Sequence, residues 1–226
     1  AVLEDELMEF REVEFRGMRF SEEEIIHLFY DKFYQIPLLK RMDAVMEYFI
    51  DSYETLKGRN IEEEDREFLQ RKFDKMYVTK DIYAIYNKLL AVCGQEQMAE
   101  LPYERRKIQY EDVFPMLYVK YRLTGKNEHK NIKHLVIDEM QDYSYLQYLI
   151  LKELFDCKMT ILGDRAQTLG KEQQDVLKFL PKVFGKNIRT VILNKSYRNT
   201  REIADYAGKI ANVKDIEFLD RHGKDV

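Results

Sequence analysis

The chain has 226 residues, 45% of them hydrophobic and 35% charged, which suits a soluble globular protein of one large domain or two small ones. Its net charge of −4 excludes a uniformly basic nucleic-acid-binding chain. The balance is uneven: residues 1–60 carry fourteen acidic and eight basic side chains and would repel a phosphate backbone, whereas residues 131–226 carry fourteen and sixteen and would tolerate one.

"EVEFRGMRFS" (12–21) alternates apolar and polar residues around Gly17, which predicts a short hairpin. Ser21 followed by Glu24 is a capping-box pattern. "EEEIIHLFYDKFYQ" and "LLKRMDAVMEYFIDSYETL" repeat apolar residues every three or four positions, and Pro37 separates these two predicted helices. "EEEDREFLQRKFDKMY" predicts another helix, and Thr79 is positioned to cap the next, "TKDIYAIYNKLLAVC". Residues 21–95 therefore read as an all-helical block. Most of its many tyrosines and phenylalanines, as in "FYDKFY" and "DIYAIY", are expected in the core, and any excess left outside would mark a contact surface.

"YEDVFPMLYVKYRLTG" predicts a helix ended by Gly125, with Pro115 near its first turn, where a missing N–H costs little. After a polar loop at 126–133 the texture changes. "HLVID", "KMTILGD" and "RTVILN" are short β-rich apolar runs separated by helical patterns, which indicates an α/β fold with a parallel sheet and crossover helices.

Cys93 and Cys157 are isolated thiols with no CxxC pair, against a disulfide framework or a zinc site and in favour of a reducing cytoplasm. No apolar run approaches the roughly 20 residues of a membrane span, and no signal peptide opens the chain. It begins at Ala1 without an initiator methionine and stops in the charged stretch "LDRHGKDV", so both ends are expected to be cuts from a longer protein.

Parallel α/β sheets place ligands at the carboxyl ends of their strands. Here those ends read Asp138-Glu139, Gly163-Asp164 and Asn194 onward. An acidic pair after an apolar strand suits a nucleoside triphosphatase: the Asp holds Mg²⁺, usually through water, and the Glu polarises the attacking water. The plainer alternative is that Asp138 caps the following helix and Glu139 is solvated.

"VIDEMQD" (136–142), "ILGDRAQT" (161–168) and "LNKSYRNTREIADYA" (193–207) resemble motifs II, III and IV of UvrD/Rep-type superfamily 1 helicases, in order and in separation. "DEMQDYSYLQYLILKELF" with "GDRAQT" is most similar to the HelD-type branch, which acts on RNA polymerase. The resemblance covers residues 107–207 and extends, through "FRGMRFSEEEI" and the tyrosine-rich helices, into the helical block. It implies a partial RecA-like parallel sheet with flanking helices plus an N-terminal, mostly helical subdomain. Residues 1–105 would be that 1B-like insertion, 106–210 the C-terminal part of the first RecA-like domain, and 211–226 the start of a linker to the second.

The resemblance also implies ATP and Mg²⁺, with Asp138 holding the metal and Glu139 as catalytic base. Gln141 and Asp142 would brace the motif and couple it to the polynucleotide, with Asp164 beside them in motif III. Gln167 would sense the γ-phosphate, Tyr197 would lie against adenine, and Arg198 would contact the γ-phosphate, a role that suits an always-charged planar fork. DNA and RNA polymerase are the implied partners of a cytoplasmic protein, without a membrane and expected to be a monomer.

Two features depart from the family pattern. Five Gly-Lys pairs occur, yet none is followed by Ser or Thr and none has Gly five positions earlier, so the chain contains no GxxxxGK[ST] P-loop and is expected to hold half an ATP site. Motif III continues as "LGKEQQD", without the aromatics that stack on single-stranded bases. That favours a motor acting on a protein partner. The other class of function is a non-catalytic interaction module that binds RNA polymerase through the helical block.

Overall fold

The alternation in "EVEFRGMRF" yields the expected hairpin: β1 (Val13–Phe15) pairs antiparallel with β2 (Met18–Phe20), Val13 opposite Phe20. Its two turn residues, Arg16 and Gly17, both have positive φ, 45° and 79°, as a two-residue turn matched to strand twist requires. The computed structural model describes residues 4, 6–125, 129, 131–164, 176–193, 195–196, 198–211, 217–218 and 220–223. The chain divides into two units, Ala1–Glu128 and His129–Val226.

In the first unit α1 (Glu22–His27) starts on the predicted capping box: Glu24 N–H donates to Ser21 Oγ at 3.2 Å, and Ser21 N–H to Glu24 Oε2 at 2.7 Å. The predicted long helix departs from α geometry at Leu28–Lys32, a π-helical turn closed by Phe33 N–H on the Leu28 carbonyl. α2 (Leu38–Lys57) ends at Gly58, whose φ of 65° supplies the left-handed cap. Leu38, Met42, Val45, Met46, Phe49, Ile50 and Tyr53 form its buried face, at the spacing read from sequence. α3 (Glu63–Asp74) adds Leu69 and Phe73 to the same core, and Val13 and Phe15 close it from the hairpin.

α4 (Ile82–Val92) is capped by Asp81, whose carboxylate accepts from Tyr83 N–H at 3.0 Å. Thr79, the expected cap, lies two residues too early and accepts from Asp81 N–H instead. α5 (Tyr110–Thr124) ends at Gly125 as expected; a Cβ there would come within 2.9 Å of Pro37 Cγ, so the residue is fixed by space as well as by its φ of 84°. Pro115 lies beyond the first turn of α5, because the helix begins at Tyr110 rather than beside the proline. "FYDKFY" and "DIYAIY" contribute Phe29, Tyr83 and Tyr86 to buried clusters but leave Tyr34 outside.

The second unit holds β3 (His134–Ile137) and β4 (Lys158–Ile161), which pair in parallel with Ile137 opposite Ile161. α6 (Tyr145–Leu154) makes the crossover between them and packs with α7 (Val176–Phe184). Ile137, Met140, Tyr148, Val176, Leu180 and Val183 form the core of this unit. Further on, β5 (Lys195–Ser196) and β6 (Glu217–Phe218) are a parallel pair of two residues each, with α8 (Arg201–Ala211) between. The unit is thus mixed helix and strand, with parallel pairing where expected.

"RTVILN" is a correction. Residues 189–193 form no strand, and Val191, Ile192 and Leu193 are 67%, 80% and 88% exposed. An apolar run becomes a central strand only when neighbours take its N–H and C=O groups and cover its faces. No described strand does so here.

Phe49 is 0% exposed, and its ring meets Phe20 and Phe73 edge-on at 4.8 and 5.8 Å. Phe49→Ala is expected to cost about 3–5 kcal/mol of unfolding free energy. Tyr103→Ala, at a side chain 81% exposed, should stay within about 0.5 kcal/mol. Denaturant titration of both variants checks this; equal losses would remove Phe49 from the core.

Candidate functional site

β3 ends at Ile137, and the chain turns sharply straight after it. Asp138 Oδ1 accepts the N–H of Glu139 at 2.9 Å. It does not cap α6: Ser144 does, accepting from Gln147 N–H at 3.3 Å while Gln147 Oε1 accepts from Ser144 N–H at 2.6 Å. The helix-capping alternative for Asp138 therefore falls, and the carboxylate stands exposed at the strand end.

Glu139 sits in the left-handed region, φ 50° and ψ 52°. For a residue with a Cβ this conformation costs on the order of 1–3 kcal/mol and persists only where the surroundings enforce it. Four hydrogen bonds enforce it. Met140 N–H donates to the Leu162 carbonyl at 2.8 Å, and Leu162 N–H donates to the Ile137 carbonyl at 2.8 Å, so the β3–β4 ladder continues past both strands. Met140–Asp142 forms a 3₁₀ turn, with Asp142 N–H on the Glu139 carbonyl at 2.9 Å. The buried Tyr148 hydroxyl on α6 donates to the Met140 carbonyl at 3.0 Å. Burial first, then the neighbouring Tyr143, pushes that hydroxyl up to about 12, so it remains a donor.

Gln141 joins the two strand ends. Its Nε2 donates to Glu139 Oε2 at 2.7 Å, and its Oε1 accepts the backbone N–H of Asp164 at 3.1 Å. One amide thus holds the Glu139 carboxylate and the loop after β4 together, and its donor and acceptor ends match their partners. Space makes this possible. A Cβ on Gly163 would lie 2.3 Å from Met140 Cγ, 2.7 Å from Gln141 Oε1 and 2.7 Å from the Met140 backbone nitrogen. Only glycine lets the loop pass that close.

Of the residues singled out in the sequence, Asp138, Glu139, Gln141, Asp142 and Asp164 therefore fall within one hydrogen-bonded unit, Asp164 joining through its backbone. Arg198 is exposed on the bend before α8, outside that unit. Gln167 and Tyr197 lie outside the described residues. The contribution of Gly163 and Tyr148 was not read from the sequence; the glycine between an apolar run and Asp164 was its one visible signal.

Among the described residues no three His, Cys, Asp or Glu side chains converge on a metal-sized site. Mg²⁺ does not call for such a cluster, since it takes one or two carboxylates and keeps several waters. Asp138, exposed and with one oxygen engaged by Glu139 N–H, fits such a ligand. Among the described residues no helix is long and apolar enough to cross a membrane.

Two parallel strands joined by a crossover helix are compatible with the α/β class. The family model UvrD/REP helicase N-terminal domain matches residues 8–169, well over half of the chain, and the chain belongs to this family of superfamily 1 helicases. The matched span takes in the first unit from Met8 and runs through the Asp138-Glu139 turn and the "GDRAQT" segment. No curated protein matches the chain.

Gly163→Ala is expected to push the two strand ends apart and to destabilise the chain by about 1–3 kcal/mol, the usual range for forced overpacking. Thermal and denaturant unfolding check this; wild-type stability would mean that the Met140–Gly163 approach is not tight in solution.

Proposed function

We propose that the chain is part of an ATP-dependent, superfamily 1 helicase-type motor and that Asp138 and Glu139 belong to its hydrolytic centre. The observation that carries the reading is the Gln141 bridge, which ties the Glu139 carboxylate to the Asp164 loop. A base must be held in one place to be useful, and the strained backbone at Glu139 is the kind of cost that functional turns bear.

Glu139 would take the proton of the attacking water, and Gln141 would hold its carboxylate in line. Asp138 would offer the single carboxylate that Mg²⁺ needs. The metal, when bound, neutralises charge developing on the phosphate oxygens. Arg198 would meet the γ-phosphate with its fork, Gln167 would sense it, Tyr197 would lie against adenine, and Asp142 would couple the site to the polynucleotide. The parallel β3–β4 pair would be part of a RecA-like sheet within residues 106–210. Residues 1–105 would be the helical insertion, and 211–226 would open the linker to a second such domain. The 226 residues contain no P-loop, so the phosphate cradle would be supplied by residues outside them.

The 226-residue chain alone is expected to show no ATP turnover, because positioning and charge stabilisation supply nearly all the catalysis in phosphoryl transfer. In a polypeptide that also carries the P-loop, Glu139→Gln should bind ATP normally and lose about 10²–10⁴-fold in hydrolysis rate. Steady-state turnover and nucleotide-binding titrations measure the two. Near-normal turnover by the variant would remove Glu139 as the base.

A protein target, RNA polymerase in the HelD-type manner, is favoured over naked DNA by one observation on the first unit. Tyr34, Tyr103 and Tyr110 stand exposed there, whereas Tyr53, Tyr77, Tyr83 and Tyr86 are core. The acidic excess of residues 1–60 also offers phosphates no attraction. Replacing Tyr34, Tyr103 and Tyr110 with alanine should weaken retention of core RNA polymerase on immobilised protein without lowering stability. Unchanged retention, or tight and salt-resistant binding of single-stranded DNA by the wild-type chain, would return the reading to an ordinary DNA helicase.

A further inference from the structure

The segment 220–223 returns to the start of α8. Arg201 N–H donates to the Arg221 carbonyl at 2.9 Å, and Gly223 N–H donates to Glu202 Oε2 at 3.0 Å. The approach is close: a Cβ on Gly223 would lie 3.0 and 3.1 Å from Thr200 Cγ2 and Oγ1. His222 stands in the middle. Its Nδ1 is 2.6 Å from Glu202 Oε1, and its Nε2 is 3.0 Å from Asp220 Oδ1.

An ionised carboxylate only accepts hydrogen bonds. A neutral imidazole carries one N–H and can satisfy one such partner; only the imidazolium donates to both. We propose that His222 is a proton-dependent clamp that fixes segment 220–223 to the first turn of α8 and opens when the imidazolium loses its proton.

Among the described residues, the charged groups in contact with the ring are Glu202 from α8 and Asp220 from its own segment, with Arg221 its chain neighbour; Arg201 Nη1 of α8 lies 3.9 Å from Asp220 Oδ1. Glu202, then Asp220, hold the imidazolium above its ordinary 6.5. Gly223 N–H first, and His222 second, hold the Glu202 carboxyl down at about 2. A raised histidine stabilises the clamp fully below 6.5 and loses that contribution as pH rises through the raised value. A lowered carboxyl contributes above its ordinary 4.5 and loses its share as pH falls toward about 2. The clamp is therefore closed in mildly acidic solution and opens on the alkaline side.

α8 starts just after Arg198, so the clamp also decides whether the turn bearing that arginine is buttressed. This consequence rests on the role proposed for Arg198; the clamp does not, and both tests below would come out the same if the ATP-site reading failed.

The test uses the 226-residue chain. The His222 ring, followed by nuclear magnetic resonance, should titrate above 6.5. Glu202→Gln should bring it back toward that value, and Asp220→Asn, which leaves α8 intact, should lower it by less. Tryptic cleavage after Arg221, scaled to that of a free peptide of the same sequence, should accelerate as pH rises through the His222 transition. The expected gain is about tenfold for each unit by which the folded value exceeds the free one. His222→Gln should abolish the step. Titration at or below the ordinary value, a scaled cleavage rate independent of pH, or the same step in His222→Gln would each overturn the clamp.

Discussion

The absence of one side chain, at Gly163, is the constraint on which the second unit depends. Because nothing occupies that space, the loop after β4 runs against the backbone of Met140, and the ladder gains a rung beyond both strands. That rung fixes Met140, and fixing Met140 leaves Glu139 only the left-handed conformation. Gln141 then reaches both the Glu139 carboxylate and the Asp164 amide with one side chain. A void the size of a methyl group is thus converted into the placement of a carboxylate.

The first unit solves a different problem. Its core is rich in aromatic and methionine side chains, and the buried Arg41, Tyr77 and Asn87 side chains all find hydrogen-bond partners. Arg41 donates to the carbonyls of Ile36 and Tyr34 and lies 4.9 Å from the Phe29 ring, so a buried cation finds both acceptors and a π face. Tyr77 donates to the Leu38 carbonyl at 2.6 Å and accepts from Met42 N–H, joining the first turns of α2 to the stretch that follows α3. Asn87 exchanges two hydrogen bonds with the Met98 backbone, and Tyr83 donates to Ala99, so the stretch after α4 is tied down although it has no regular structure. Each of these groups would be expensive to leave unsatisfied, and the pairing makes the arrangement specific.

The helices were legible because apolar spacing reports burial directly, and the Ser21–Glu24 box was legible because both partners lie within one turn. Asp81 displaced Thr79 as the cap of α4, a two-residue shift that depends on where α4 begins and not on which residue can cap. Pro115 was misplaced for the same reason at the start of α5. In the site, the residue types were readable from order and spacing, Asp138 and Glu139 above all. The left-handed turn, the Gly163 approach and the Tyr148 support were not, because each is a distance between segments far apart in sequence. Val191–Leu193 failed as a strand because a strand is a property of two segments, and sequence pattern describes one.

That apolar triplet also bears on how the protein behaves as a solute. Val191, Ile192 and Leu193 are β-prone, uncharged and free of proline, and they lie open to solvent without a ladder partner among the described strands. Segments of this type are templates for chain-to-chain association at high concentration. Arg189 on one side and Lys195 on the other bracket the triplet with positive charge, which makes them its gatekeepers. Association through this segment is therefore opposed locally, by two cations around three side chains, and that opposition is screened by salt even though the folding core is not.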